Sequence, residues 1–259
     1  MAEKNPSGHQ TSALRPPARN NWVIAARDLA VFVVFLGVFT TTGWTSFHIP
    51  SGSMEPTLEV GDRIFVSKFP YGYNRYSVPF DPEFIPEEHV FAGAPKRGDV
   101  AVFTVPKLDN QDTIKRVIGL PGDRIKMKAG RLYINNILVQ RSLIRSVNYV
   151  DYRGTRRSAK EYFETLPGGT THRIYELSDN SQFDNAGPFV VPPRHYFMMG
   201  DNRDNSLDSR YQQGIGYVPI DYFVGQADVT AFSLYDCDQG KDVFCPLGVP
   251  LGRFFNNIK

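Results

Sequence analysis

Gly98-Asp99-Val100-Ala101-Val102-Phe103 sets a two-residue turn ahead of a run of β-branched and aromatic side chains, and the arrangement recurs twice. Gly61-Asp62 precedes Arg63-Ile64-Phe65-Val66, and Gly122-Asp123 precedes Arg124-Ile125-Lys126-Met127. Glycine and aspartate carry turn chemistry, and the residues that follow suit a pleated, half-buried strand. Arg131-Leu132-Tyr133-Ile134-Asn135-Asn136-Ile137-Leu138-Val139 reads as a hairpin about its two asparagines. Outside one apolar segment there is no long amphipathic pattern and no sequence-wide repeat. The pattern predicts a mainly β fold.

That apolar segment runs from Leu29 to Phe47 without a charge, close to the ~20 residues needed to cross a bilayer. Arg15, Arg19 and Arg27 precede it, and Trp44 suits an interfacial position. The reading is an anchor over 22–47 with the N-terminus cytoplasmic and everything after Phe47 outside, a single-pass protein of the inner membrane. No Ala-x-Ala site follows the run, which favours a retained anchor over a cleaved leader. Residues 1–21, rich in Pro, Ser, Asn and charge, read as a disordered tail.

The 259 residues leave room for one substantial domain beyond the anchor. The net charge of +2 is uninformative, but its distribution is uneven. From Arg124 to Lys160 ten Lys and Arg face Asp151 alone. This stretch fits a surface against anionic lipid and equally a solvated face. Cys237 and Cys245 lack the ligand count of a zinc site; outside the cytoplasm they would pair as a disulfide, otherwise they stay as thiols. Val150 to Pro193 is polar and punctuated by Gly and Pro, with Tyr152, Tyr162 and Tyr175 scattered through it. It reads as a lobe, 130–193, inserted between two parts of one core, 48–129 and 194–259.

Chemistry is concentrated in three strings. Ile49-Pro50-Ser51-Gly52-Ser53-Met54-Glu55-Pro56-Thr57-Leu58 follows the anchor. Ile114-Lys115-Arg116-Val117-Ile118-Gly119-Leu120-Pro121-Gly122-Asp123 comes next, then Gly200-Asp201-Asn202-Arg203-Asp204-Asn205-Ser206-Leu207-Asp208-Ser209-Arg210. A serine hydroxyl needs a base to become a nucleophile. The five histidines, His9, His48, His89, His172 and His195, sit in no triad-like setting. A lysine serves only when desolvation makes it neutral, and Lys115 lies among Ile114, Val117 and Ile118. The combination suggests a serine nucleophile near a membrane with lysine as its base.

In that order the three strings resemble bacterial type I signal peptidases, the serine-lysine dyad family also called leader peptidases. The resemblance implies a mostly antiparallel β catalytic core interrupted by a variable second domain. It implies Ser53 as nucleophile, Lys115 as general base, and an oxyanion hole from the Ser53 N–H and the Ser51 hydroxyl. Ser206 would orient the lysine amine. Asp208 and Arg210 would form a charged pair holding this loop, with Asp201 and Arg116 as further supports; all four are read as structural, because a negative charge close to the lysine raises its pKa. Phe47, Ile49, Pro50, Met54, Ile114 and Leu207 would wall pockets for small residues at P1 and P3. Asn202 and Asn205 read as loop-shaping residues.

The implied function is membrane-bound removal of signal peptides from exported preproteins, cutting after Ala-x-Ala-type sequences. Expected partners are those preproteins and the phospholipid surface; no cofactor, metal or nucleic acid is implied. A serine-lysine peptidase dedicated to one exported protein shares the chemistry. A membrane-anchored β-domain that binds peptides without cutting them is the rival of another class, against which Ser53, Lys115 and Ser206 stand together.

Overall fold

A computed structural model describes residues 21–77, 83–86, 88–90, 93–108, 110–151, 154–234 and 251–258. Cys237, Cys245, Arg15, Arg19, His9 and Tyr152 lie outside them. The chain divides into two units, Met1–Val38 and Phe39–Lys259.

Helix α1, Asn21–Thr42, contains the expected apolar run, and its window Asn21–Val38 is long and apolar enough to cross a membrane. Its Leu, Val and Phe side chains up to Val38 are largely exposed. The helix stops before the expected end at Phe47. Trp44–His48 is instead strand β1, so the anchor reading over 22–47 overran by a strand. Both states take apolar residues, but after Gly43 the run is short, aromatic and β-branched, and strand pairing wins.

In the second unit β1 is followed by β2 (Asp62–Ser67), β3 (Val100–Val105) and β4 (Gln111–Gly119). Next come β5 (Arg124–Lys128), β6 (Arg131–Ile134), β7 (Ile137–Leu138), β8 (Gln140–Val150), β9 (Arg156–Thr165) and β10 (Thr171–Glu176). The chain continues through β11 (Phe189–Val190), β12 (His195–Met199), β13 (Val218–Pro219), β14 (Phe223–Ser233) and β15 (Asn256–Asn257). The main sheet is ordered β1-β2-β14-β3-β4-β12-β13, with β15 paired to β14, and its ladders are antiparallel.

The three Gly-Asp turns are built alike. Gly61, Gly98 and Gly122 have φ of 93°, 95° and 89°, a region that costs glycine nothing. Each following aspartate turns its carboxylate back onto the amide three residues earlier. Asp62 accepts from Glu59 N at 2.9 Å, Asp99 from Lys96 N at 2.9 Å and Asp123 from Leu120 N at 2.6 Å. The turns therefore launch β2, β3 and β5 with their amides satisfied. Asn135 and Asn136, at φ 53° and 67°, close the expected hairpin between β6 and β7.

Strand β3 is buried at all six positions, as a central strand covered on both faces must be. Ala101 and Phe103 pack with Val117, Met198 and Phe223 on one side. Val100 and Val102 pack with Ile64, Val66, Val224 and the loop residues Ile49, Met54 and Leu58 on the other.

Outside the main sheet, β8, β9 and β10 form a three-stranded sheet, and β5, β6, β7 and β11 a four-stranded one. The hairpin of β5 and β6 straddles residue 130, so the strands leaving the main sheet begin at Arg124. A third cluster joins Ile125, Met127, Leu132 and Ile134 to Ile118, Phe197 and Met199 of the main sheet.

Candidate active site

The Ser51–Leu58 loop is fixed by its apolar residues. Met54 and Leu58 are fully buried and Ile49 nearly so. Each such burial is worth about 1.5–3 kcal/mol, enough to hold a loop that makes few ladder bonds. Thr57 N and Leu58 N both donate to Met54 O at 2.9 Å, and Glu55 N donates to Gly52 O at 3.2 Å. The result is a 3₁₀ turn, Gly52–Met54, with Ser53 on it.

Lys115 comes from β4, in register with Ala101 of β3, while Ile114 is in register with Val102. Its Nζ lies 2.8 Å from Ser53 Oγ and 2.8 Å from the Ile114 carbonyl. Ser51 Oγ is 3.4 Å from Ser53 Oγ. Burial, opposed by the charges of Asp208 and Asp201, lowers the Lys115 ammonium to about 8. Removing a cation from water is costly, and at this site the cost outweighs two carboxylates.

Those carboxylates are each paired with an arginine. Arg116 grips Asp201 with Nε and Nη2 at 2.8 and 2.7 Å, and its Nη1 donates to Gly98 O at 2.7 Å. Arg210 grips Asp208 with Nε and Nη2 at 2.9 and 2.8 Å. All four are buried. Burial alone would raise both aspartates; the arginine beside each outweighs it and holds the carboxyl below its usual range.

Ser53, Lys115 and Ser206 share one cleft of about 630 Å³, walled also by Pro50, Ser51, Ile114 and Leu207. Three of the six expected pocket residues are thus at the cleft. Phe47, Ile49 and Met54 are not: Ile49 and Met54 lie within the core cluster and Phe47 packs against it. Each of the six reads equally as pocket wall or as ordinary core, and these three sit in or against the core.

Ser206 also differs from expectation. It is buried in the cleft, but its hydroxyl helps to hold the Asp208 carboxyl low, and the lysine amine meets the Ile114 carbonyl instead. Gly200 explains the crowding here, because a Cβ at that position would run into the Ser53 carbonyl and the Ser206 side chain.

Residues read only as loop-shaping do more. Asn202 N donates to Ser53 O at 3.1 Å, and its Nδ2 lies 3.0 Å from Gly52 O. Arg203 forms a buried pair with Glu164 of β9, joining the motif loop to the three-stranded sheet. An Arg in a turn-rich string was the available signal. Among the described histidines none is hydrogen-bonded to Ser53. His172 is pushed down to about 3 by burial and by Arg116, and stays neutral between Glu164 and Asp201.

A model of the family described as signal peptidase, peptidase S26, matches residues 20–232. The chain is 40% identical over 195 residues to a signal peptidase I of Rickettsia typhi, which covers 72% of this chain and 71% of that protein. It is 38% identical over 230 residues to a signal peptidase I of Rickettsia felis, covering 82% of this chain and 84% of the relative. Among solved structures, a signal peptidase I from Enterococcus faecalis V583 is 24% identical, covering 51% of this chain and 96% of that one, with a TM-score of 0.30.

Proposed function

The chain belongs to the signal peptidase family, peptidase S26, and on that premise we propose that Ser53 and Lys115 are the nucleophile and general base with which it removes signal peptides. The class is a serine endopeptidase. The observation that carries the assignment is the 2.8 Å contact between Lys115 Nζ and Ser53 Oγ in a buried setting that brings the amine to about 8.

In this reading a neutral Lys115 takes the proton as Ser53 Oγ attacks the scissile carbonyl. The developing oxyanion is met by the Ser53 N–H and the Ser51 hydroxyl, donors each worth about 3 kcal/mol in the transition state. Collapse of the tetrahedral intermediate passes the proton from Lys115 to the leaving amine and leaves an ester on Ser53. Water then attacks that ester, Lys115 again taking the proton. Arg116 and Arg210 serve by offsetting part of the charge of Asp201 and Asp208, which holds the proton on the lysine.

Pro50, Ile114 and Leu207 beside the dyad favour small residues near the scissile bond, hence Ala-x-Ala-type preproteins. Helix α1 is the membrane anchor, single-pass, with the catalytic unit outside the cytoplasm; the arginines before the apolar run support that orientation. The test is direct. Detergent-solubilised protein is incubated with a preprotein ending its leader in Ala-x-Ala, and the new N-terminus is sequenced beside a Ser53→Ala control. A mature N-terminus from the wild type alone supports the reading; equal cleavage by the control overturns it.

A further inference from the structure

Glu55 follows Met54 directly, and its carboxyl folds back over the nucleophile turn. A Cβ on Gly52 would stand 2.7 Å from Glu55 Oε2, so the glycine leaves room for the carboxylate. Asn202 Nδ2 lies 3.1 Å from Glu55 Oε2 and 3.0 Å from the Gly52 carbonyl, and Asn202 N donates to the Ser53 carbonyl at 3.1 Å. Tyr149 Oη, from β8 of the three-stranded sheet, is 3.1 Å from the same Nδ2. Asn202 thus meets both carbonyls around the nucleophile, Ser53 with its backbone N–H and Gly52 with its side-chain amide, and Glu55 fixes the orientation of that side chain. Flipping it would set Asn202 Oδ1 against the Gly52 and Glu55 oxygens, two acceptors facing an acceptor.

We infer that Glu55 is a positioning residue: through the Asn202 amide its carboxyl holds the Gly52–Ser53 turn in the attacking geometry, with Tyr149 tying the clamp to the three-stranded sheet. Glu55 does not line the cleft and touches no reacting atom. The inference rests on the assignment of Ser53 and Lys115 above. It makes the clamp sensitive to protonation, because an ionised carboxylate accepts the amide hydrogen bond about twice as strongly as a neutral group.

Several groups set that ionisation. Burial, then the charge of Glu59, lift the Glu55 carboxyl to about 7; the Asn202 amide opposes them and Asp151 adds to them. Tyr149 and Tyr175 are the other titratable neighbours, and Arg157 pairs with Asp151. The clamp is therefore charged above about 7 and weakens below it, in addition to the loss of neutral Lys115 below about 8.

The test is the pH dependence of kcat on the full chain in detergent, with thermal melts to verify folding. For the wild type, kcat follows the Lys115 limb with an additional fall of about threefold centred near 7. Glu55→Gln keeps a neutral acceptor for the amide but cannot ionise, so at alkaline pH it sits about threefold below the wild type, meets it at acid pH, and follows the Lys115 limb alone. Glu55→Ala loses about tenfold in kcat at alkaline pH, with KM little changed, and the glutamine variant rescues it in part. If Ser53→Ala is inactive while Glu55→Ala matches the wild type, or Glu55→Gln keeps the additional fall near 7, the inference fails and the dyad stands. If Ser53→Ala cleaves normally, the dyad reading falls and this inference with it.

Discussion

Lys115 Nζ reaches Ser53 Oγ at 2.8 Å across 62 residues of chain, one on an antiparallel strand and the other on a turn nailed down by Met54. Neither element positions the contact alone. The strand sets the lysine in register with Ala101, and the core beneath the turn sets the serine.

Acting as one unit, the two residues should fail as one. Ser53→Ala and Lys115→Ala are each expected to lower kcat by at least about 10³-fold, and the double variant by little more than either single, because members of one catalytic unit are not additive. Lys115→Arg should be as inactive as Lys115→Ala, since guanidinium keeps its proton. Rates that multiply in the double variant, or an active arginine variant, would contradict the general-base role.

The same burial should be visible in stability. Below about 8 both folded and unfolded chains protonate Lys115, and the cost of burying the ammonium is present in full. Between about 8 and the usual 10.5 only the unfolded chain holds the proton, so stability climbs with pH. Lys115→Met should therefore stabilise the protein at pH 7 by on the order of 2 kcal/mol, with the gain vanishing by strongly alkaline pH. Denaturant melts at both pH values measure it; a destabilised methionine variant would mean the amine's hydrogen bonds outweigh its desolvation.

Much of this was legible in the sequence. The Gly-Asp turns and the Asn135-Asn136 hairpin were readable because their chemistry is local, each aspartate reaching back only three residues. The end of the anchor was not, because Trp44-Thr45-Ser46-Phe47 suits a membrane interface and a strand alike, and its pairing with β2 is a tertiary fact. Nor could composition separate Met54 in the core from Leu207 at the cleft, two apolar residues in similar motif strings. Asn202 looked like turn chemistry, since the carbonyls it meets lie 150 residues away.

Arg116 and Asp201 form a bidentate pair that is wholly buried. Breaking it from one side leaves an unpaired buried charge, which costs about 3–5 kcal/mol. Asp201→Asn should lower the denaturation midpoint accordingly. Two carboxylates oppose the lysine's descent, so a folded Asp201→Asn protein should also show its acid limb shifted to lower pH, Asp208 alone then acting on Lys115. An acid limb that stays in place would mean Arg116 already cancels that charge at the amine.

Gly200 offers the last test, and it concerns space alone. An added Cβ would meet the Ser53 carbonyl and the Ser206 side chain at distances that real methyl groups do not tolerate. Ser206 meets the added Cβ with its side chain, which can turn, but the Ser53 carbonyl is backbone and accepts from Asn202 N. Overpacking of this kind costs about 1–3 kcal/mol, which the fold survives. A shift of the Ser53 turn by a fraction of an ångström spoils the contact with Lys115, and misplaced reacting groups lose about 10²-fold. Gly200→Ala should thus melt as a folded protein yet lose most of its kcat, while Gly252→Ala, where a Cβ meets nothing, should keep it. Wild-type turnover by Gly200→Ala would show that the turn yields without disturbing Ser53.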